Sequence, residues 1–247
     1  MKKLIYIVMV LAFCCDSEDA NDCIQTAGNI IQLEVEVIDF EKILVNRNIE
    51  LILSQGPEHR VTIETGENLI NDVKAEVMGN RLVLTNNNIC NYVRAYGITK
   101  VYVEAPNVTE IRNSSQYEVS SNGIITYPML SLISEDFNEN IEFTVGDYNL
   151  TINNQNLRIT SNGLASFYIE GSTENLSVNF FAGDGRFQGQ DLVAQNVTIY
   201  HRGSNDMIVH PIQSLSVELR GTGNVIALNE PPIVSVEQFY IGQLIFN

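Results

Sequence analysis

The sequence predicts an all-β protein whose repeats form a right-handed parallel β-helix or a closely related β-solenoid. Short apolar–polar–apolar segments recur about every twenty residues between residues 99 and 228, a spacing typical of stacked repeats. Polar breaks that contain Gly or Asn separate the segments, and these residues tolerate the backbone of a tight corner. No long amphipathic pattern interrupts them. The segments are residues 130–133, 150–152, 157–159, 176–178, 197–199 and 215–217.

Residues 1–15 predict a bacterial lipoprotein signal. Lys2 and Lys3 precede the apolar run 4–13, which is too short to span a bilayer and has the length of a signal core. The run ends at two cysteines, and such a cysteine resembles the one that bacterial lipoproteins acylate. We expect Cys15 to carry the lipid, because Cys14 then supplies the small residue before it. Lipidation at Cys14 and cleavage without lipidation are the alternatives.

Residues 16–32 are polar and predict a tether. Its acidic start, residues 16–19, resembles the signal that sends lipoproteins to the outer cell surface in Bacteroidetes-type bacteria. A single lipid with no other apolar span makes a protein membrane-anchored rather than membrane-spanning. We therefore expect an exported protein anchored to the outer membrane at the cell surface. A periplasm-facing orientation is the alternative.

Strand patterns begin at Leu33. Residues 49–53 and 61–64 alternate apolar and polar side chains, as half-buried strands do. Residues 73–77 and 82–84 are separated by a turn that contains Gly79 and Asn80, which predicts a paired unit.

The order of these segments resembles a known family. Residues 50–56 and 61–70, followed by residues 98–111 with Pro106 at a strand end, look like the "putative auto-transporter adhesin, head GIN domain" family over roughly residues 36–228. The resemblance implies a β-solenoid-like fold in exported, often lipidated bacterial proteins. It implies adhesion only through the family's name, and it offers no catalytic residues.

Two arrangements of the repeats are open. A series of β-hairpins would make each pair of short strands antiparallel, whereas a parallel coil would stack equivalent strands of successive turns. The constant step favours the coil, because a coil returns to the same register after a fixed length. The predicted solenoid domain spans residues 33–228, and residues 229–247 are expected to form a terminal cap, with ordinary last strands as the alternative.

Cys23 and Cys90 are expected to form a disulfide, because exported proteins reside in an oxidising space. The bond would join the N-terminal tail to the turn at residues 86–88. No metal site is expected, because His59, His201 and His210 lie far from both cysteines in the sequence. No cofactor is expected, since phosphate-loop and dinucleotide patterns are absent.

The net charge and the repeat geometry limit the functions that the sequence allows. The net charge of −16 repels phosphate backbones, so nucleic-acid binding is not expected. A polysaccharide-active enzyme would need clustered acid, base and cation groups on one face. The repeat turns contain one candidate set for such a cluster: Asp184, Arg186, His201, Asp206 and Glu218.

The function predicted from the sequence is a non-catalytic, lipid-anchored binding module or adhesin of the cell envelope. Its partners would be glycans or surface proteins, reached through an extended β face; no ligand-binding residue is assigned. Exposed tyrosines on one face would suit such contacts. A periplasm-facing scaffold or sensor and a polysaccharide-active enzyme are the alternative functions. The tyrosines considered for the binding face are Tyr117, Tyr127, Tyr168 and Tyr200.

Overall fold

A computed structural model of the chain describes residues 21–137 and 142–247. The predicted signal, with Cys14 and Cys15, lies outside the described residues, as does the acidic start of the tether. The described part is built of strands, with one short 3-10 turn at Ile70–Asp72. No helix within it is long and apolar enough to cross a membrane. The strands are β1 Ile30–Val35, β2 Lys42–Val45, β3 Glu50–Gln55, β4 Arg60–Gly66, β5 Val73–Met78, β6 Arg81–Asn86, β7 Lys100–Ala105, β8 Glu110–Asn113, β9 Val119–Ile125, β10 Met129–Ser134, β11 Tyr148–Ser161, β12 Ser166–Phe180, β13 Arg186–His201, β14 Met207–Leu219, β15 Val225–Ala227, β16 Ile233–Gln238 and β17 Leu244–Phe246.

The strands hydrogen-bond in two rows that share the long strands β11 to β14. The first row runs β1, β4, β7, β3 and β9, then the first halves of β11 to β14, then β15 and β17. The second row runs β5, β6, β2, β8 and β10, then the second halves of β11 to β14, then β16. Because the four long strands bend from one row into the other, the rows form one 17-stranded, nearly closed sheet.

The predicted right-handed parallel β-helix is wrong, although the protein is all-β. The sheet is mixed, because β4 pairs antiparallel with both β1 and β7, and β5 pairs antiparallel with β6. Strands are also longer than the short repeat segments, since each of β11 to β14 spans both rows. The repeat pattern located strands correctly but did not reveal that the N-terminal part lacks the repeat and pairs differently.

Successive repeats do stack in register. Leu157 lies opposite Leu176, Leu176 opposite Val197, and Val197 opposite Leu215, all in parallel pairings. The hairpin alternative is therefore not formed by these segments. The sequence step of about twenty residues is the length of chain needed to pass through both rows and return to the same register.

The core lies between the two rows. Its side chains form columns of equivalent residues, such as Ile159, Val178 and Ile199, and all three are buried. Tyr148 and Phe167 stack with ring centroids 4.8 Å apart. Each large apolar side chain that is fully buried contributes about 1.5–3 kcal/mol, so the columns hold the two rows together.

Candidate binding site at the disulfide-anchored loop

A loop at residues 87–99 leaves the second row after β6 and enters the first row at β7. A disulfide joins Cys90 of this loop to Cys23, with Cα atoms 4.4 Å apart. The backbone N–H of Tyr92 donates to the Cys23 carbonyl at 2.9 Å. The N-terminal segment therefore fixes the loop against the end of the sheet.

Arg94 and Asn91 hold the 87–99 loop in one conformation. The guanidinium of Arg94 donates to the carbonyls of Asp22 at 2.6 Å and Cys90 at 2.7 Å. Its partial burial lowers the pKa of Arg94. The Asn91 Oδ1 accepts from the Arg94 N–H at 2.9 Å, and the Asn91 Nδ2 donates back to the Arg94 carbonyl at 2.8 Å. The loop is thus ordered by polar contacts rather than by a core of its own.

Asparagine side chains line a small pocket beneath the loop. Asn86 Nδ2 donates to the Asn48 carbonyl at 3.1 Å, and Asn88 Nδ2 donates to the Leu69 carbonyl at 3.1 Å. Asn48 has a φ of 62°, in the left-handed region that asparagine tolerates better than most residues. The pocket has a volume of about 150 Å³, enough for a few waters or a small polar group.

One polar atom of the pocket lacks a partner. Asn88 is buried, and its Oδ1 has no hydrogen-bond partner within residues 21–137 and 142–247. A buried acceptor without a partner costs roughly 1–3 kcal/mol. The oxygen is enclosed by the protein, so a buried water is the donor that suits it.

Aromatic side chains flank the pocket. Tyr96 and Tyr117 contribute to its wall, and burial raises the pKa of Tyr117. Tyr92 is 80% exposed and Tyr96 is 77% exposed, with Ile89 and Val93 exposed beside them. Exposed apolar side chains grouped next to a polar pocket are typical of interaction sites. The arrangement offers flat rings for stacking and amides for hydrogen bonding.

The structure does not bring the predicted catalytic residues together in one groove. His201 is fully buried, with its ring 6.2 Å from that of Phe180, so it faces the core. Glu218 lies on the opposite, outer side of its strand and pairs with Arg220.

The remaining three members of that set lie around the turns. Asp184 accepts from the hydroxyl of Ser204, and Asp206 accepts from the N–H of Asn224 at 2.8 Å. Arg186 begins β13, where it lies opposite Ser166 of β12. A shallow groove of about 260 Å³ at these turns contains Asp184 but none of the other four. Within residues 21–137 and 142–247, no group of three or more His, Cys, Asp and Glu could hold a metal ion.

The four tyrosines considered from the sequence do not form one face. Tyr127 is buried and donates its hydroxyl to the Ala105 carbonyl at 2.9 Å; burial also raises its pKa. Tyr168 lies in the first row and Tyr200 in the second. Only Tyr117 reaches the asparagine pocket.

Sequence reasoning missed the 87–99 loop as a site. The signal available was a long break in the strand pattern that contains Cys90, two tyrosines and several asparagines. Long irregular segments in compact domains are frequently functional. The sequence alone did not show that the loop would place Tyr96 and Asn88 in one pocket.

Comparison with known proteins identifies a family and a set of similar folds. Residues 39–231 match the family described as "Putative auto-transporter adhesin, head GIN domain". No curated protein matches the chain. A putative adhesin from Bacteroides fragilis NCTC 9343 has a similar structure, with a TM-score of 0.79 and 18% identity over 90% of this chain and 99% of that one.

Two further solved structures are similar. A putative adhesin from Parabacteroides merdae ATCC 43184 gives a TM-score of 0.64 at 17% identity, covering 89% of this chain and 98% of that one. A putative lipid binding protein from Parabacteroides distasonis ATCC 8503 gives 0.62 at 16% identity, covering 89% and 97%. At these identities the likeness concerns the fold alone.

Proposed function

This chain belongs to the auto-transporter adhesin head GIN domain family, and on that basis we propose that it is a non-catalytic binding module of the bacterial cell envelope that uses the 87–99 loop to bind neutral glycans. The family resemblance read from the sequence is confirmed. The adhesin descriptions of the family and of its structural neighbours accord with an exported surface or envelope protein.

One observation carries the proposal. Two exposed tyrosines, Tyr92 and Tyr96, lie on the 87–99 loop, and Tyr96 lines a pocket together with the asparagine residues of the loop and its neighbours. Tyrosine rings stack against apolar faces while their hydroxyls stay hydrated. Asparagine amides both donate and accept, as do the hydroxyls of a sugar. The site therefore matches a sugar that offers both C–H faces and hydroxyls.

The charge of the chain favours a neutral sugar over an acidic one. The net charge of −16 disfavours the approach of anions. Arg94, the cation of the 87–99 loop, already donates to backbone carbonyls. Among the described residues that line the pocket, Arg94 is the only cation, so an acidic glycan would lack a free cationic partner there.

The test is binding of the purified protein to an array of neutral and acidic glycans. Tyr92→Ala and Tyr96→Ala should each weaken binding by at least about tenfold, as loss of a central aromatic contact does. The matched control is Tyr168→Ala, since Tyr168 is also an exposed tyrosine but lies on β12 away from the loop. It should leave binding unchanged.

Two results would contradict the proposed glycan site. Binding that survives both loop substitutions would assign the ligand to another surface. Binding restricted to acidic glycans or to surface proteins would show that the ligand class is wrong.

We also propose that the lipid on Cys15 anchors the protein to the outer membrane. The support is the apolar run ending at two cysteines and the acidic residues 16–19 that follow. Metabolic labelling with a fatty acid should mark the protein, and Cys15→Ser should abolish the label. Cys14→Ser is the matched control and should retain it, because a small residue still precedes Cys15. Labelling that depends on Cys14 instead would reverse the assignment.

Orientation is tested by protease treatment of intact cells followed by immunoblotting. Cell-surface exposure predicts loss of the band while a periplasmic control protein survives. A band that persists until the outer membrane is broken would assign the protein to the periplasm-facing side. Cleavage of the purified protein by the same protease serves as the control.

A further inference from the structure

Both rows of the sheet end in an open strand edge at the C-terminal end of the molecule. β16 pairs with β14 on one side, and β17 pairs with β15 on one side. No other strand of residues 21–137 or 142–247 has a residue-by-residue pairing with β16 or β17. Such an edge presents a line of unsatisfied N–H and C=O groups that can pair with another strand.

The same end leaves apolar side chains uncovered. Val234 and Val236 continue the buried columns that contain Leu215 and Val217, yet they are 37% and 43% exposed. The end thus exposes the side chains that a further layer would bury. The other apolar side chains exposed in this segment are Ile233, Phe239, Tyr240, Ile241, Ile245 and Phe246.

The opposite end carries several charged side chains on its edge strands, whereas this one carries few. At the far end of the first row, β1 and the residue after it carry the exposed Glu34 and Glu36. At the far end of the second row, β5 carries the exposed Lys74 and Glu76. Charged side chains on edge strands are a common means of preventing association. In residues 231–247 the only charged residue is Glu237.

We propose that the C-terminal end is a homodimer interface in which β16 of one copy pairs antiparallel with β16 of a second copy about a two-fold axis at Ser235. The distribution of charge favours a second copy of this chain as the partner at this end. Two chains of net charge −16 repel one another over most of their surface. The end formed by residues 231–247 is a surface where two such chains can meet with little repulsion.

Side-chain direction sets the register. Val234 and Val236 face the core side, so they must lie opposite residues of the same face in the partner. A two-fold axis at Ser235 places Val234 opposite Val236 of the second copy, and Ile233 opposite Glu237. It therefore continues the apolar columns across the interface and keeps the two Glu237 side chains apart.

Hydrogen bonding agrees with this register. The Phe239 N–H donates to the Leu219 carbonyl of β14 at 2.8 Å, so the odd-numbered residues of β16 direct their N–H and C=O groups toward β14. The backbone groups of Val234, Val236 and Gln238 therefore face the free edge. Val234 of one copy and Val236 of the other would form a hydrogen-bonded pair. Ser235 would then lie opposite Ser235 of the second copy in a non-hydrogen-bonded pair.

The exposed area is of the size that a specific contact needs. Taking about 150–250 Å² for a large side chain, the exposed portions of the apolar residues in 233–246 come to about 700 Å² per copy. Complete burial in both copies sets an upper value of about 1,400 Å², against the range of about 1,200–2,000 Å² typical of specific interfaces. Because β1 and β17 lie at opposite ends of the first row, the dimer would leave both β1 strands at its far ends.

Analytical ultracentrifugation of the purified protein over a concentration series is the first test. A reversible dimer is expected, and Val236→Lys should weaken it by at least about tenfold because it would bury a charge against the second copy. Ser216→Lys is the matched control, since Ser216 is exposed on the strand before the edge. It should dimerise like the unaltered protein.

Cross-linking tests the register. Ser235→Cys should form a covalent dimer without reductant, because non-hydrogen-bonded antiparallel pairs have Cα atoms about 4.5 Å apart, a distance that disulfides span. Glu237→Cys is the control. The two copies of residue 237 would lie about 13 Å apart in this register, too far to bridge.

Three outcomes would overturn the proposal. The first is a protein that stays monomeric at about 100 µM, since contact weaker than this is not a specific interface. The second is a dimer that Val236→Lys leaves intact, because the dimer then uses another surface. The third is cross-linking through Glu237→Cys but not Ser235→Cys, which would show that the two β16 strands pair in a different register.

Discussion

Arg112 and Glu135 form an ion pair in the second row, with the Nη1 of Arg112 2.9 Å from the Oε1 of Glu135. Their side chains are only 5% and 2% exposed. The same Nη1 donates to the Glu135 carbonyl at 2.9 Å, and the Glu135 Oε2 accepts from the Phe137 N–H at 2.7 Å. Two charges are therefore held away from water, each with hydrogen-bond partners.

Breaking this pair should destabilise the protein strongly. Glu135→Ala leaves the Arg112 charge buried without its carboxylate, which costs about 3–5 kcal/mol. The free energy of unfolding measured by urea denaturation should fall by that amount. The matched control is Glu34→Ala, because Glu34 pairs with Arg60 at an exposed site and such pairs contribute about 0–1 kcal/mol. Equal losses from the two substitutions would show that Glu135 is not desolvated.

The buried His201 should make stability depend on pH. Its Nδ1 accepts from the Gly203 N–H at 3.3 Å, and its Nε2 donates to the Asn205 carbonyl at 2.9 Å, so the ring is held neutral. Burial lowers the pKa of His201, although the Asn205 carbonyl and Asp206 raise it. In the unfolded chain histidine binds a proton near pH 6.5.

The unfolded state therefore binds more protons than the folded state below about pH 6.5, and the free energy of unfolding should fall as pH decreases from there. His201→Leu should remove this part of the dependence. Leucine suits the site because Leu219 occupies the same column in the next strand. Unfolding curves between about pH 5 and 7 check the prediction, and identical slopes for both proteins would refute it.

Gly171 should be irreplaceable at the bend of β12. Its φ is +106°, and a Cβ there would lie 2.0 Å from the Ile152 carbonyl oxygen, so the backbone would have to move. Gly123 also has a positive φ, +94°, but a Cβ there would meet no atom within 4 Å. Gly123→Ala should therefore cost only backbone strain of about 1–2 kcal/mol.

Gly171→Ala should lower the free energy of unfolding by clearly more than Gly123→Ala does, as measured by urea denaturation at the same pH. The difference between the two variants isolates the close approach to Ile152. Similar losses would mean that the two strands separate at little cost at this bend.

Removing the disulfide should loosen the 87–99 loop. The bond closes a loop with a sequence separation of 67, and loop-closure entropy then gives an upper value of about 4 kcal/mol for its stabilisation. The double variant Cys23→Ser/Cys90→Ser should also expose Arg94 to trypsin. Cleavage after Lys74, which lies in β5, serves as the control and should not change. Unchanged cleavage after Arg94 would show that polar contacts alone hold the loop.

Local patterns predicted several elements correctly. Residues 73–77 and 82–84 form the antiparallel pair β5–β6, joined through Gly79 at a φ of +68°. The alternation in residues 49–53 and 61–64 marks β3 and β4. These elements depend on neighbouring residues, because side-chain direction alternates along a strand and turns require residues that tolerate positive φ.

Pairing between distant strands could not be predicted in the same way. β4 alternates as a strand of a repeat would, yet it lies antiparallel between β1 and β7. Alternation shows which side chains face the core but does not show which strand is adjacent. The expected uniform parallel coil failed for this reason.

The sequence by itself determined that this protein is all-β, that its repeats stack at a fixed step, and which family it resembles, because these properties reside in the order of apolar and polar side chains along the chain. Only the tertiary structure decided the mixed pairing, the pocket that Asn88 and Tyr96 share, and the free edge at β16. Each of these depends on contacts between residues far apart in the sequence or on where the last strand lacks a neighbour. Burial of apolar side chains determines which residues of a strand face the core. The neighbouring strand to which each strand hydrogen-bonds is determined only when the complete sheet forms.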